Sequence, residues 1–139
     1  MPAAADPRTK TILVVDDDVT ILDLFELSLV RQGFNAMRLP SGEKAIQIAT
    51  RKGSMVDLII LDLMLPGKDG SEVLKELQNR GASSIPIFVV TAKAVTPEDI
   101  RKIKAEPNVK AFFQKPVDVK DLSAKVHEVL GTAPIRRSS

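Results

Sequence analysis

The stretch ILVVDDD, residues 12–18, decides how the rest of the chain is read. Four apolar residues run without interruption and stop at three consecutive aspartates, Asp16, Asp17 and Asp18. Side chains along a strand point alternately to opposite faces, so an unbroken apolar run suits a strand covered on both faces, as in a parallel sheet. The same shape recurs downstream. LIIL at 58–61 stops at Asp62, IFVV at 87–90 stops at Thr91, and AFF at 111–113 leads within two residues to Lys115-Pro116. A weaker extended segment spans 34–39. Stretches with helical spacing lie between. Leu22, Phe25 and Leu29 mark one over 18–32; Ala45, Ile46 and Ala49 mark one that opens on Ser41 as a cap. Val73, Leu74 and Leu77 mark a third over 71–79, and Leu122, Val126 and Val129 a fifth over 119–130. The fourth opens at Thr96-Pro97-Glu98-Asp99, with a cap residue, a first-turn proline and acids next to the helix dipole. Strand and helix alternate five times, which predicts an α/β layer fold with right-handed crossovers.

Composition narrows the function. The chain has 139 residues, the usual size of one domain, and its 44% hydrophobic and 27% charged residues describe an ordinary globular protein. A net charge of +2 is too small to argue for nucleic acid, and without Trp or Tyr, and with five Phe, there is little to stack bases on. Zero cysteines exclude disulfides, thiolate metal sites and thiol nucleophiles. A single histidine makes a histidine-built zinc site or a Ser-His-Asp triad an unsuitable reading. No apolar run approaches the roughly 18 residues that span a bilayer, and the first eleven residues carry no apolar core of a secretory leader. Residues 1–10 read as a flexible lead-in, 11–131 as the folded domain and 132–139 as a flexible tail.

In open α/β sheets, ligands bind at the carboxyl ends of the strands. Those ends carry Asp16 to Asp18, Asp62, Thr91 and Lys115. Carboxylates brought together raise one another's proton affinity unless a cation intervenes. A hard divalent ion relieves that repulsion, and Mg²⁺ takes one or two carboxylates plus waters and phosphate oxygens. A lysine and a hydroxyl beside it complete a small phosphoryl pocket: a nucleophilic aspartate, a metal, a cationic clamp and a hydroxyl donor. Each group alone has a plain explanation, as a helix cap, a loop cap or an ordinary strand end. It is their conjunction on four separate strand ends that points to chemistry.

The segments ILVVDDD (12–18), LIILDLMLPGKDG (58–70), FVVTA (88–92) and FFQKP (112–116), in this order and spacing, resemble the receiver (CheY-like) domain of two-component response regulators over residues 11–130. The resemblance implies the flavodoxin-like (βα)5 fold with strand order 2-1-3-4-5. It also implies the roles. Asp62 is the phosphoacceptor. Asp17, Asp62 and the backbone carbonyl of Met64 bind Mg²⁺, and Asp16 reaches the ion through water. Thr91 is the switch hydroxyl, Lys115 contacts the phosphate, and a cis peptide bond joins Lys115 to Pro116. Phe112 holds the switch-aromatic position, where relatives often carry Tyr. Asp18 reads as the start of the first helix. Met64 and Lys93 rim the phosphate site or fill surface. Pro66, Gly67 and Gly70 read as turn chemistry without a catalytic role. His127 reads as a partly exposed helix residue, and Pro107 ends the fourth helix early.

The function so implied is a cytoplasmic signalling switch that catalyses only its own phosphorylation and dephosphorylation. Its donor is a sensor histidine kinase or a histidine phosphotransfer protein. Its response runs through the face of the fourth helix, fifth strand and fifth helix to a downstream protein or a missing output domain, with homodimerisation through that face a further option. Neither nucleic acid nor membrane is expected as a direct partner. Two rivals belong to other classes. A haloacid-dehalogenase-type phosphatase places its acids as Asp-x-Asp after the first strand, whereas Asp16 and Asp17 are adjacent and Asp62-Leu63-Met64 lacks a second acid. A degenerate receiver would be an interaction module only, against which the intact site argues.

Overall fold

The structure, a computed structural model, describes residues 4–65, 70–91 and 96–135. Strands β1 (Thr11–Val15), β2 (Asn35–Leu39), β3 (Leu58–Asp62), β4 (Ile87–Thr91) and β5 (Val109–Gln114) alternate with helices α1 (Val19–Arg31), α2 (Gly42–Ala49), α3 (Gly70–Asn79), α4 (Pro97–Lys104) and α5 (Val119–Leu130). All five strands are parallel, in the order β2-β1-β3-β4-β5. This is the doubly wound flavodoxin-like sheet that the sequence led us to expect. The unbroken apolar runs have the expected cause: every residue of β3 and β4 is buried. β2 lies at the edge and buries only Leu39, which accounts for its weaker sequence signal.

Strand alternation sends side chains into two cores. Leu13, Val15, Ile59, Leu61, Ile87 and Val89 pack under α2, α3 and α4 through Ile46, Val73, Leu77 and Ile103. Ile12, Val14, Leu58, Ile60, Phe88 and Val90 pack under α1 and α5 through Leu22, Phe25, Leu29, Leu122 and Val126. The sheet is thus held rigidly from both sides up to its carboxyl edge. Truncating a fully buried residue such as Leu61 to Ala would cost about 2–5 kcal/mol.

The helix boundaries follow local chemistry. Asp18, Ser41, Thr96 and Asp118 cap α1, α2, α4 and α5, each accepting a backbone N–H of the first turn. Gly131, at φ 66°, ends α5 in the left-handed conformation. α4 stops at Lys104, three residues before Pro107, as expected: the proline has no N–H to donate and pushes the preceding residue out of helical geometry. Side chains then fix the entry to β5. Gln78 Nε2 donates to Glu106 Oε2 (2.8 Å) and Asn108 Oδ1 (2.6 Å), and Asn108 Nδ2 donates to the Ile85 carbonyl (2.8 Å). A bulge follows, with Ile87 paired to Val109 and Phe88 to Ala111.

Two sequence expectations meet a different outcome at the other end of the molecule. Within 4–10 and 132–135, read as parts of flexible flanks, residues have partners here. Ala5 N–H donates to the Gly131 carbonyl (2.9 Å), Ala5 bridges Thr132, and Pro7 is buried. His127 is buried, not partly exposed. Its Nδ1 lies 2.7 Å from Thr132 Oγ1 and its Nε2 3.0 Å from Gln32 Oε1, with the Phe34 ring centroid 4.7 Å away. The physical reason is that the chain turns back after Gly131 and covers the last turn of α5.

Candidate functional site

A parallel sheet brings all its carboxyl ends to one edge, so the polar residues that follow β1, β3, β4 and β5 converge there. Asp16, Asp17 and Asp62 each offer a carboxylate oxygen, and these oxygens lie within 4.8 Å of one another. Asp16 and Asp62 are each only 2% exposed, while Asp17 faces solvent. Lys115 Nζ reaches in from the end of β5, 2.8 Å from Asp16 Oδ2 and 3.5 Å from Asp62 Oδ2. Backbone donors fix the acids from below: Met64 N–H donates to Asp62 Oδ1 (3.0 Å) and Asp18 N–H to Asp16 Oδ1 (2.9 Å).

Thr91, the last residue of β4, is 1% exposed, and its carbonyl accepts the Lys115 N–H at 2.8 Å. The Lys115–Pro116 peptide bond is cis, as expected. Alternation along the strands puts Thr91 on the sheet face shared by Val89 and Phe112. Phe112 is half-buried against the α2–α3–α4 core, with Lys104 Nζ 5.8 Å from its ring centroid. Asp16, Asp17, Asp62 and Lys115 therefore form one cluster. Thr91 adjoins it on β4, and Phe112 lies further down β5. Met64 follows Asp62 with its side chain exposed. Asp18, as expected, caps α1 through Thr20 N–H (2.9 Å). Pro66, Gly67 and Lys93 lie outside the described residues.

The cluster carries more negative charge than it compensates. Burial pushes the Asp62 carboxyl above the ordinary value of 3.8, and the Asp16 charge adds to this; the Met64 N–H and Lys115 pull the other way without prevailing. Burial disfavours the Lys115 ammonium, but the Asp16 hydrogen bond and the two carboxylates outweigh it and raise its pKa above 10.5. Among the described residues, three carboxylates thus share one ammonium. An all-oxygen donor set with surplus negative charge, one member of which opens to water, suits a hard divalent cation that keeps part of its hydration shell. The residues fit Mg²⁺.

Sequence reasoning missed two contributions. One is the Met64 amide, a backbone donor that every residue except proline carries, so no sequence signal marks it. The other is Gly70, read only as turn chemistry. A Cβ built there would lie 2.4 Å from Leu63 Cα and 2.8 Å from the Asp62 carbonyl oxygen. A glycine directly preceding a helical pattern hints at such close packing, but only the structure shows against what.

A doubly wound sheet with acids, a lysine and a threonine at its carboxyl edge is the arrangement that the receiver resemblance implies. The family comparison agrees: the model of the response regulator receiver domain matches residues 12–127, and the chain belongs to that family. The chain is 34% identical over 131 residues to the alkaline phosphatase synthesis transcriptional regulatory protein PhoP of Bacillus subtilis, covering 94% of this chain and 52% of that protein. It is 36% identical over 115 residues to the uncharacterised transcriptional regulatory protein YrkP of the same organism, covering 83% and 47%. The chain therefore spans about half the length of the curated relatives it matches. Among solved structures, a CheY-like receiver from Methanospirillum hungatei superposes with a TM-score of 0.75 at 26% identity, covering 87% of this chain and 93% of that one. The receiver domain of the sensor histidine kinase PA1611 from Pseudomonas aeruginosa superposes at 0.76 and 23% identity, covering 88% and 98%; that protein holds a magnesium ion in its active-site cleft.

Proposed function

We propose that Asp62 takes a phosphoryl group from the phosphohistidine of a sensor kinase or a histidine phosphotransfer protein. One Asp62 carboxylate oxygen bonds to phosphorus as the P–N bond breaks; the imidazole keeps the electron pair, and an acyl phosphate remains. The observation that carries this reading is the packing of three carboxylates whose oxygens lie within 4.8 Å of one another at the sheet edge, two of them also paired with the Lys115 ammonium. Asp17, Asp62 and the Met64 carbonyl would hold Mg²⁺, with Asp16 engaged through water. The ion supplies charge neutralisation for the phosphoryl oxygens. The Met64 N–H orients the Asp62 carboxylate before reaction. Lys115, held by Asp16, donates to a phosphoryl oxygen, and the Thr91 hydroxyl to another.

We take residues 11–131 as the signalling unit, acting in the cytoplasm. No helix among the described residues is long and apolar enough to cross a membrane. The response leaves through the α4–β5–α5 face. There a groove of about 600 Å³ is lined by Phe112, by Lys104, Lys110 and Lys125, and by Asp121. A downstream protein, an output segment or a second copy of the chain would meet this face.

The test is labelling with Mg²⁺ and acetyl phosphate, borohydride reduction and peptide mass spectrometry. The expected outcome is modification of Asp62 alone. Labelling at Asp16 or Asp18, or no labelling, would refute the reading.

A further inference from the structure

The glycine that opens α3 is set against the backbone of the proposed phosphoacceptor, and we infer that Gly70 is a positioning residue for Asp62; the inference rests on the function proposed above. The backbone of Gly70 has no positive φ that would demand glycine. The demand is for space. An added Cβ would meet Leu63 Cα at 2.4 Å, the Asp62 carbonyl oxygen at 2.8 Å and Leu63 C at 3.0 Å. All three are backbone atoms, so no side-chain rotation makes room. Ordinary contact begins near 3.4 Å, so α3 and the 62–63 backbone would have to part by about 1 Å.

That separation acts on the reacting group. Gly70 N–H donates to the Leu63 carbonyl (3.1 Å), and Leu63 N–H to the Val90 carbonyl (2.9 Å), so Leu63 is tied to α3 and to β4 at once. The next amide, Met64 N–H, holds Asp62 Oδ1. Moving Leu63 moves that amide, and the Met64 carbonyl assigned to the metal moves with it. A 1 Å misplacement of a reacting group can cost about a hundredfold in rate.

Gly42 supplies a matched control. A Cβ there would lie 2.3 Å from Val73 Cγ2, an equally severe overlap, but it meets a side chain of α3 rather than the backbone of residues 62 and 63. Gly42→Ala should lower stability and disturb the site less than Gly70→Ala, because a push on Val73 reaches Leu63 only indirectly, through α3.

The experiment compares Gly70→Ala, Gly42→Ala and the parent chain by three readouts. The first is the rate of acetyl phosphate labelling at saturating Mg²⁺. The second is urea stability. The third is the amide spectrum of the metal-free protein. For Gly70→Ala the expected result is labelling slowed by about tenfold to a hundredfold, with the Leu63 and Met64 amide signals displaced before any metal is added. Gly42→Ala should label closer to the parent rate per folded molecule than Gly70→Ala does. If Gly70→Ala folds poorly, trimethylamine N-oxide restores the folded population but not the displaced amide, so slow labelling should persist. Labelling at the parent rate, or a deficit that disappears with folding, would overturn the role of Gly70. If the parent itself takes no label on Asp62, the proposed function fails instead, and the two failures are distinct.

Discussion

Two buried titratable clusters sit in this molecule, and burial shifts a pKa in both. At the carboxyl edge, Asp62 is raised above 3.8; between α1 and α5, His127 is lowered below 6.5. Both shifts disfavour the charged form, yet the clusters differ in balance. His127 can be neutral, and its two ring nitrogens then have one partner each, a proton on Nε2 for Gln32 Oε1 and a lone pair on Nδ1 for the Thr132 hydroxyl. Nothing is left over. The acidic edge is not balanced in this way among the described residues, where Asp16, Asp17 and Asp62 have only Lys115. A perturbed pKa alone therefore does not mark a functional site; surplus charge that the fold itself leaves uncompensated does.

Removing the surplus should have the largest effect. Asp62→Asn is expected to abolish labelling by acetyl phosphate, since it removes the assigned nucleophile. It should also stabilise the metal-free protein at neutral pH. The sign follows from the raised pKa: ionising Asp62 is harder in the folded than in the unfolded state, so its contribution is lost as pH rises above 3.8 and through the folded value. Thermal melts across pH 4 to 7 would check this, the parent losing ground to the variant as pH rises. Identical pH profiles would mean that the edge is not electrostatically loaded.

Lys115→Ala should unbalance the edge further. Asp16, 2% exposed, loses its 2.8 Å partner, and breaking a buried pair costs about 3–5 kcal/mol, less where water enters as it can at this partly open edge. Added Mg²⁺ should recover a large part of that loss by binding the folded state. Asp62 should still accept beryllofluoride, but the response of α4 and β5 should weaken, because the Lys115 loop continues directly from the strand that carries Phe112. Urea melts with and without Mg²⁺ give the first effect; backbone shifts over 100–114 give the second. A variant that responds as fully as the parent would place the coupling on Thr91 alone.

The two clusters were not equally legible in the sequence. The acidic edge could be read because each of its residues directly follows an apolar run, and a parallel sheet must bring such ends together. The early end of α4 at Pro107 was legible for a similar local reason, whereas strand order came only with the family resemblance. The His127 cluster was not, because its partners Gln32 and Thr132 come from a helix end and from a segment that reads as loose tail; only the reversal of the chain at Gly131 joins them. The contact of Gly70 with Leu63 is hidden for another reason, since a missing side chain leaves no pattern to read.

The smallest effect is expected at His127, and it has the opposite pH sign to that of Asp62. A histidine whose pKa is depressed on folding contributes stability that is present above its unfolded value of 6.5 and is lost as pH falls through the folded value. Below 6.5 the unfolded chain takes up a proton that the buried ring resists, so acid favours unfolding. His127→Gln should cost about 1–2 kcal/mol at pH 7.5 through a lost hydrogen bond and the lost contact with Phe34, and should flatten the decline between pH 6.5 and 5. Labelling of Asp62 should be unchanged at every pH where the variant is folded, since no described contact joins the two clusters. Urea melts at matched pH values measure the first effect, and acetyl phosphate labelling the second. A labelling rate that followed the His127 substitution would show that the balanced cluster is coupled to the unbalanced one through α5, and the contrast between them would then fail.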